Sequence, residues 1–275
     1  MTEHTIVVGV GGESDCENAI RWAAAEAAAR GTGIRLVHAF VWPEFPVALG
    51  PSEVAPGLRA HADKIVADSL ELATKLAPEI PITADRVDGF PSPVLLRESR
   101  TADLIVIGSR RLGGALGVLV GSTGTDLAAH AHCPVIVVRP DDAVDQGRGV
   151  VIGYDGSPAA GVALDFGLDY ARRHHVDARV VAVHAPNDDQ QRVTQHDLAR
   201  AVQSRQTGPV AELIHVTGKP AEELLRWSAD ARLVVVGSRG RGGFTGMLLG
   251  SVSQTVLRQA RCPVAVIPRS AVQTS

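Results

Sequence analysis

A glycine-rich segment in the second half of the chain has the composition of a phosphate-binding loop. It starts at Gly237, where an apolar run ends, and passes through Gly240 to Gly250 and Ser251, where a helical pattern begins. Glycines let backbone N–H groups approach an anion without obstruction by a Cβ atom, and a helix start adds unpaired donors and a positive dipole end. We expect Ser251 and Ser253 to donate hydroxyl hydrogen bonds to phosphate oxygens. The alternative is a plain flexible connection followed by an ordinary helix cap.

Other kinds of chemistry lack support in the sequence. The only lysines are Lys64, Lys75 and Lys219, so the glycine-rich segment lacks the lysine of a P-loop. The sequence has no nucleophile elbow, Ser-His-Asp order or paired-carboxylate motif, and this disfavours a catalytic function. The ten histidines have no cysteine or aspartate partners at ligand spacing, so we expect no metal site. Three cysteines, an odd number, argue against a disulfide framework.

The chain contains an internal repeat. Gly108 and Gly237 each end an apolar run, and they are 129 positions apart. The same separation relates three further pairs of landmarks, which are Gly89 with Gly218, Gly121-Ser122 with Gly250-Ser251, and Cys133-Pro134 with Cys262-Pro263. Four landmarks at one separation are hard to obtain by chance. The sequence therefore predicts two copies of one domain.

Towards the start of each copy the separation becomes larger. The run from Val7 to Val10 matches the run from Val151 to Tyr154 at 144 positions, and His38 matches His184 at 146. The first copy therefore has 15 to 17 additional residues, which we place in the segment 42–57. The four prolines and two glycines of this segment predict a loop. Such a loop is either a plain solvent-exposed insertion or a functional lid or partner surface.

A polar, turn-rich stretch joins the two copies. It covers residues 140–149 and has the composition of a linker, which places the domain boundary near residue 145. We therefore predict an N-terminal domain of residues 1–144 and a C-terminal domain of residues 145–275. These are called the first and second halves below.

Both halves have the pattern of a parallel α/β fold, because short apolar runs rich in β-branched residues alternate with helical patterns. Strands are predicted near residues 5–10, 34–39, 82–87, 104–108 and 135–138, and again near 149–154, 178–184, 210–216, 232–237 and 264–267. Right-handed crossovers then give two doubly wound domains, each a five-stranded parallel sheet flanked by helices. Ser157-Pro158 is a predicted helix start, with a capping hydroxyl before a proline.

Ligands of doubly wound sheets bind beyond the carboxyl ends of the strands, at the point where the strand order reverses. The segments after the first and fourth strands of each half should therefore form the site. The glycine-rich segment that begins at Gly237 follows a fourth strand.

The second half resembles the universal stress protein family. The spacing Gly237-x2-Gly240-x9-Gly250-Ser251 is similar to the ATP-binding motif of that family, and the run Val151-Ile-Gly-Tyr-Asp155-Gly-Ser157 is similar to its first strand. The resemblance covers both halves. It implies a Rossmann-like sheet, pairing of the two domains through their last strands, and ATP held between the ends of the first and fourth strands. Mg²⁺ can accompany the phosphates. It also implies that Asp155 contacts the adenosine and that the adenine and ribose region is lined by Gly153, Ala185, Val236 and Val252.

The first half departs from this motif at two positions. Gly11 stands opposite Asp155, and Arg111 stands opposite Gly240. Loss of a charged hydrogen bond costs about 1.5–3 kcal/mol, or roughly one to two decades in affinity. We therefore expect weak or no ATP binding in the first half. In the alternative interpretation, Arg111 forms an ion pair with a phosphate and changes the ligand.

These observations predict an ATP-binding protein of the stress response, with a nucleotide-dependent regulatory or sensor role and little or no catalysis. Two alternatives are open: a slow Mg²⁺-dependent ATP hydrolase, and a nucleotide-independent scaffold in which the halves form a pseudo-dimer and the 40–57 loop contacts a partner.

The expected partners are an adenine nucleotide, a second copy of the chain and an unidentified protein. The net charge of −3 gives no reason to expect nucleic acid or an anionic membrane. The chain begins without a signal-peptide pattern, and no apolar run reaches the roughly 18 residues of a membrane span. The sequence therefore predicts a cytoplasmic protein.

Overall fold

The structure of the chain is a computed structural model. It describes residues 5–12, 16–42, 51–111, 118–119, 121–140, 142, 147–184, 194–205, 211–241 and 249–268. For residues 51–56, 110–111 and 118–119 it describes the backbone alone.

The first half alternates strands and helices. Its strands are β1 (Thr5–Gly9), β2 (Gly33–Phe40), β3 (Ile82–Asp88), β4 (Leu104–Gly108), β5 (Arg110–Arg111), β6 (Val118–Leu119) and β7 (Val135–Val138). Its helices are α1 (Glu17–Arg30), α2 (Pro51–Leu76), α3 (Pro91–Glu98) and α4 (Ser122–His130).

The second half repeats this alternation. Its strands are β8 (Gly149–Gly153), β9 (Asp177–His184), β10 (Glu212–Thr217), β11 (Leu233–Gly237) and β12 (Val264–Ile267). Its helices are α5 (Pro158–His174), α6 (Gln195–Gln203), α7 (Pro220–Trp227) and α8 (Ser251–Gln259), and a 3-10 turn (Ser228–Asp230) follows α7. All ten predicted strands are present, and each end lies within two residues of its predicted position, so the predicted α/β fold is confirmed.

The two halves form one continuous sheet. The strand order is β10-β9-β8-β11-β12-β7-β4-β1-β2-β3, so each half contributes five parallel strands. The last strands β7 and β12 pair with each other in antiparallel orientation, with Ile136 opposite Ala265. The order in each half reverses between its first and fourth strands, which places a crevice at the ends of β1 and β4 and another at the ends of β8 and β11.

Helices cover both faces of the sheet. Helices α1, α2, α5 and α6 pack on one face, and helices α3, α4, α7 and α8 pack on the other. The central strands are buried on both faces, which explains why their sequences are apolar without alternation. Among the helices in the described ranges, none combines the length and apolar character needed to span a bilayer.

The predicted loop at 42–57 is partly wrong. Helix α2 begins at Pro51, so residues 51–57 are helical, whereas residues 43–50 lie outside the described residues. Proline is tolerated in the first turn of a helix because the N–H that it lacks would have no partner within the helix. Pro51 is therefore compatible with a helix start, whereas Pro56 is the sixth residue of α2 and lies beyond its first turn.

One predicted match between the halves is also wrong. Strands β1 and β2 pair in the same register as β8 and β9, so the separation of 144 positions extends through the second strands. The residue equivalent to His184 is Phe40 and not His38. In agreement with this, the Phe40 carbonyl accepts a 2.8 Å hydrogen bond from Gly89 N, and the His184 carbonyl accepts one of the same length from Gly218 N.

A buried ionic cluster joins α1 to α5. The Glu26 carboxylate is 0% exposed and accepts hydrogen bonds from Arg30 (2.5 Å), Arg173 (2.8 Å) and His174 (2.6 Å). Burial raises the pKa of Glu26, but the hydrogen bond from His174 and the charges of Arg30 and Arg173 outweigh burial, so the pKa lies below its usual value. The acid comes from the first half, and two of its three hydrogen-bond partners come from the second.

Arg139 also ties the halves together. It follows β7, is buried, and donates from its guanidinium to the carbonyls of Leu257 (2.7 Å) and Ala260 at the end of α8. A cation at a helix C-terminus satisfies carbonyls that lack partners within the helix.

Candidate functional site

The turn between β8 and α5 is shaped by Asp155. Its Oδ1 accepts a 2.9 Å hydrogen bond from Ser157 N, and Gly156 between them adopts a left-handed φ of +75°. Ser157 is the N-cap of α5, and its Oγ accepts from Ala160 N at 3.2 Å. The predicted Ser157-Pro158 helix start is therefore confirmed, and the turn leaves the second oxygen of Asp155 directed towards the glycine-rich loop.

The base of the glycine-rich loop is closed by backbone hydrogen bonds. Ser238, which follows β11, donates its N–H to the Ile267 carbonyl of β12 at 2.7 Å. The Ser238 carbonyl accepts from Gly250 N at 2.8 Å. These bonds bring the end of β11 and the start of α8 together, so the intervening loop leaves and returns at one point of the crevice.

Asp155 connects the two segments that sequence analysis predicts to form the site. Its Oδ2 accepts a 3.0 Å hydrogen bond from the backbone N–H of Arg241. A Cβ atom at Gly240 would lie 2.3 Å from the same oxygen, so only glycine allows this approach without displacing the carboxylate. The Arg241 guanidinium donates to the Gly156 carbonyl at 3.2 Å. The β8–α5 turn and the glycine-rich loop are therefore in direct contact.

Gly237 has a packing role that the phosphate interpretation does not include. A Cβ atom at this position would lie 2.9 Å from the Ala159 Cβ and 3.1 Å from its carbonyl carbon, because the first turn of α5 packs on the end of β11. Its carbonyl accepts a 2.6 Å hydrogen bond from the Ser253 Oγ. Ser253 is only 4% exposed, so its single hydroxyl hydrogen is directed at the protein. The Ser253 hydroxyl therefore bonds within the protein in this structure, and its donation to phosphate stays a prediction.

The start of α8 keeps donors that face outward. Gly250 is its N-cap residue and provides no side-chain hydrogen bond to the first turn, as expected for glycine. Ser251, the first helical residue, is exposed. The backbone N–H groups of this first turn are the unpaired donors typical of an anion site, and the Ser251 hydroxyl lies beside them.

The remaining predicted residues lie lower in the crevice. Val236 is 4% exposed, and its Cγ1 would lie 3.3 Å from a Cβ placed on Gly153, so the two form the floor between β8 and β11. Val252 is partly buried and packs on the core beneath α8. Ala185 lies outside the described residues.

The corresponding turn of the first half is built differently. Gly11, which stands at the position of Asp155, donates its N–H to the Cys16 Sγ at 2.9 Å, and no carboxylate is present at this position. A Cβ atom at Gly12 would lie 2.9 Å from the Ile65 Cδ1, which shows that α2 covers this turn directly. After β4 the backbone forms the antiparallel ribbon β5–β6, in which Arg111 pairs with Val118. The side chain of Arg111 lies outside the described residues.

The other candidate groups have little reactivity in the described part of the chain. Burial raises the pKa of the Cys133 and Cys262 thiols to about 12, so neither is a thiolate near neutral pH. Within the described ranges, no group of three or more His, Cys, Asp or Glu side chains is arranged to hold a metal ion.

Three features of the site were not predicted from the sequence. These are the backbone hydrogen bonds of Ser238 at the base of the loop, the hydrogen bond from Arg241 N to Asp155, and the hydrogen bond from Ser253 Oγ to the Gly237 carbonyl. Each depends on backbone atoms from segments that are far apart in sequence. The only available indication was that Ser253 stands where the first half has Gly124.

The comparisons with known proteins agree with this architecture. The family model described as the universal stress protein family matches residues 3–139 and 148–268. A universal stress protein of Mycobacterium tuberculosis (strain H37Rv) is 34% identical over 295 residues, which cover 98% of this chain and 98% of that protein. A universal stress protein of Mycolicibacterium smegmatis is 36% identical over 292 residues, with 97% of each chain covered.

Solved structures show the same fold. The crystal structure of a universal stress protein from Archaeoglobus fulgidus covers 98% of this chain and 100% of its own, with a TM-score of 0.78 at 18% identity. The family model and the full-length relatives together show that this chain belongs to the universal stress protein family and carries two of its domains in tandem.

Proposed function

We propose that the second half binds one adenine nucleotide, ATP, and that the protein acts as a nucleotide-dependent regulator or sensor with little or no catalysis. The observation that carries the proposal is the contact between Asp155 and the backbone of the glycine-rich loop. A carboxylate suited to base or ribose recognition and a loop suited to phosphate lie in one crevice, at the point where the strand order reverses.

The carboxylate keeps capacity for a ligand. The Oδ1 of Asp155 accepts a backbone hydrogen bond from Ser157 N, and its Oδ2 accepts one from Arg241 N. An ionised carboxylate has about four acceptor positions, so each oxygen can accept a second hydrogen bond from a ribose hydroxyl or an adenine amino group. The turn therefore orients Asp155 before the nucleotide arrives.

The phosphates have a separate set of donors. The first turn of α8 provides backbone N–H groups, the Ser251 hydroxyl and the positive end of the helix dipole. We infer that Gly240 and Gly250 keep the loop backbone close to the ligand, whereas Gly237 fixes the base of the loop against Ala159. Mg²⁺ would accompany the phosphates, since it is commonly held by phosphate oxygens and water.

Pairing through the last strands is already used within the chain. Because β7 and β12 pair with each other, the edge that each half would offer to another copy is occupied. A homodimer of this chain would therefore require a different surface.

Mass spectrometry of small molecules released on denaturation tests the proposal. We expect at most one adenine nucleotide per purified chain. Asp155→Asn should lower the content about ten- to a hundredfold at limiting nucleotide, because a charged hydrogen bond is lost. Asp68→Asn is the matched control, since Asp68 lies exposed on α2 and pairs with Lys64. Equal nucleotide content in both variants would refute the site.

Turnover measurements separate a sensor from a hydrolase. With saturating ATP and Mg²⁺, we expect a rate far below the typical enzymatic value of about 10 s⁻¹. A rate near that value which disappears in the Asp155→Asn variant would assign an ATP hydrolase instead.

A further inference from the structure

Two histidines of the second half face each other at the carboxyl end of the sheet. His184 is the last residue of β9, and His215 lies on the neighbouring strand β10, diagonally across from it on the same face. Their Nε2 atoms are 2.5 Å apart, and their ring centroids are 4.1 Å apart. His184 is 6% exposed, whereas His215 is partly exposed.

Opposed Nε2 atoms restrict the protonation of the pair. One ring must donate a proton from Nε2 and the other must accept it, because two Nε2–H groups would point at each other. If the donating ring shifts its proton to Nδ1, two Nε2 lone pairs converge on one point. Two imidazole nitrogens that converge in this way are the ligand type that zinc, copper and nickel ions prefer.

The first half shows that the fold does not need histidines at these positions. The equivalent residues are Phe40, at the end of β2, and Arg86 on β3. The Arg86 guanidinium lies over the Phe40 ring at 5.4 Å from the ring centroid, a cation–π contact. A contact that contains no metal ligand therefore fills the same corner of the sheet, so packing alone does not explain the imidazole pair.

We propose that His184 and His215 bind one divalent transition-metal ion, of which Zn²⁺ is the representative, through their Nε2 atoms. Two nitrogens on a tetrahedral Zn²⁺ lie roughly 3.3 Å apart, given Zn–N bonds of about 2.0–2.1 Å. The pair must therefore open from 2.5 Å, and the partly exposed ring of His215 supplies this movement. The proton between the rings moves to Nδ1 of the same ring, which leaves both Nε2 lone pairs for the ion.

The site is completed by water. In the part of the chain that the structure describes, no third His, Cys, Asp or Glu side chain joins the pair to form a larger cluster. Open positions on the ion are typical of metals that bind a further ligand rather than hold the fold together. The site does not depend on nucleotide, so its test stands apart from the test of ATP binding.

Competition with a chromophoric zinc chelator tests the proposal on the full chain. We expect the wild type to bind one Zn²⁺ at this pair. The double variant His184→Phe with His215→Arg installs the pair of the first half, which preserves packing, and it should weaken this binding by at least about tenfold. His130→Gln is the control, because His130 is exposed at the end of α4 and should leave the affinity unchanged. Unchanged affinity in the double variant would overturn the proposal.

Imidazole ¹⁵N NMR of the wild type gives a second measurement that requires no variant. One equivalent of Zn²⁺ should shift the Nε2 resonances of His184 and His215 before those of the other histidines. Zinc-dependent shifts confined to other histidines would overturn the assignment.

Discussion

The first strand of each half is followed by a helix, and the described residues at the end of that strand make different contacts in the two halves. In the first half the Cys16 Sγ accepts the N–H of Gly11. In the second half the Asp155 carboxylate accepts the N–H of Ser157 and reaches the loop after the fourth strand as well. The first half keeps the same strand order with glycine at the position of Asp155, so the sheet does not require a carboxylate here. The carboxylate and its contact with Arg241 N are therefore features of the second crevice, as the proposed nucleotide site requires.

Packing beneath the two turns is the same. A Cβ atom on Gly9 would meet the Leu95 Cδ1 at 2.9 Å, and one on Gly153 would meet the Leu224 Cδ1 at 3.1 Å. Both leucines come from the helix after the third strand of their half. Features that the halves share therefore maintain the sheet and its helices, whereas features that differ are concentrated at the crevices.

The largest expected effect comes from breaking the buried ionic cluster that joins α1 of the first half to α5 of the second. Glu26→Ala should destabilise the chain by about 3–5 kcal/mol, because it leaves Arg30, Arg173 and His174 without their shared hydrogen-bond acceptor in a buried site. Denaturant unfolding measures the loss. Glu71→Ala, which removes an exposed pair with Lys75, is the control and should cost less than about 0.5 kcal/mol. Similar losses in both variants would contradict the buried-cluster account.

The same acid predicts a pH dependence. The native pKa of Glu26 is lowered, so its contribution to stability is present above the unfolded value of about 4.3 and is lost as pH falls through the native pKa. Unfolding free energies measured across the acid range should fall less steeply in Glu26→Gln than in the wild type. Parallel slopes would show that another group governs the acid loss.

A smaller effect is expected at the close approach in the second crevice. Gly240→Ala places a Cβ 2.3 Å from the Asp155 Oδ2, which must displace either the carboxylate or the loop. We expect ATP affinity to fall by about tenfold or more, the equivalent of one lost hydrogen bond to a charged group. Calorimetric titration measures the change. Gly57→Ala, where a Cβ meets nothing within 4 Å, is the control.

The hydrogen bond from Ser253 to the Gly237 carbonyl predicts a modest effect on stability. Ser253→Gly installs the residue of the first half and removes the 2.6 Å hydrogen bond to the Gly237 carbonyl. The loss should be about 1–2 kcal/mol, from the hydrogen bond and from glycine in a helix. Thermal unfolding measures it, and an unchanged midpoint would show that the loop base is held without Ser253.

The smallest expected effect is an unchanged number of bound nucleotides per chain when a carboxylate is introduced into the first half. Gly11→Asp restores the carboxylate in the first half, where a Cβ would meet only the Cys16 Sγ at 3.8 Å. We expect no second nucleotide, because Ile65 covers Gly12 and the ribbon β5–β6 replaces the loop. A stoichiometry of two ATP per chain would show that the carboxylate alone separates the halves.

Much of the fold could be predicted from the sequence because its determinants are local. Strands buried on both faces produce unbroken apolar runs, and Ser157-Pro158 has the residue types of a helix start. Two errors arose where a residue type was interpreted without its position. Pro51 is the first residue of a long helix. A shared histidine was aligned with His184, whereas the strand register makes Phe40 the equivalent residue.

The candidate site could be predicted only in part. The motif glycines and Asp155 follow from spacing, but the sequence does not show that Gly237 is required by Ala159 or that Ser253 is directed inward. Glu26 looks like an ordinary charge on an alanine-rich helix, and its partners Arg173 and His174 are almost 150 positions away. These properties depend on distant segments that only the folded chain brings together.

A crystal structure of the chain grown with ATP and Mg²⁺ tests the central claim most directly. We predict one nucleotide in the second half, with a hydrogen bond from the nucleoside to Asp155 and the phosphates at the N–H groups that begin with Ser251. The turn at Gly11 and Gly12 should carry none. A nucleotide bound above that turn, or one in the second half that does not touch Asp155, would contradict the account.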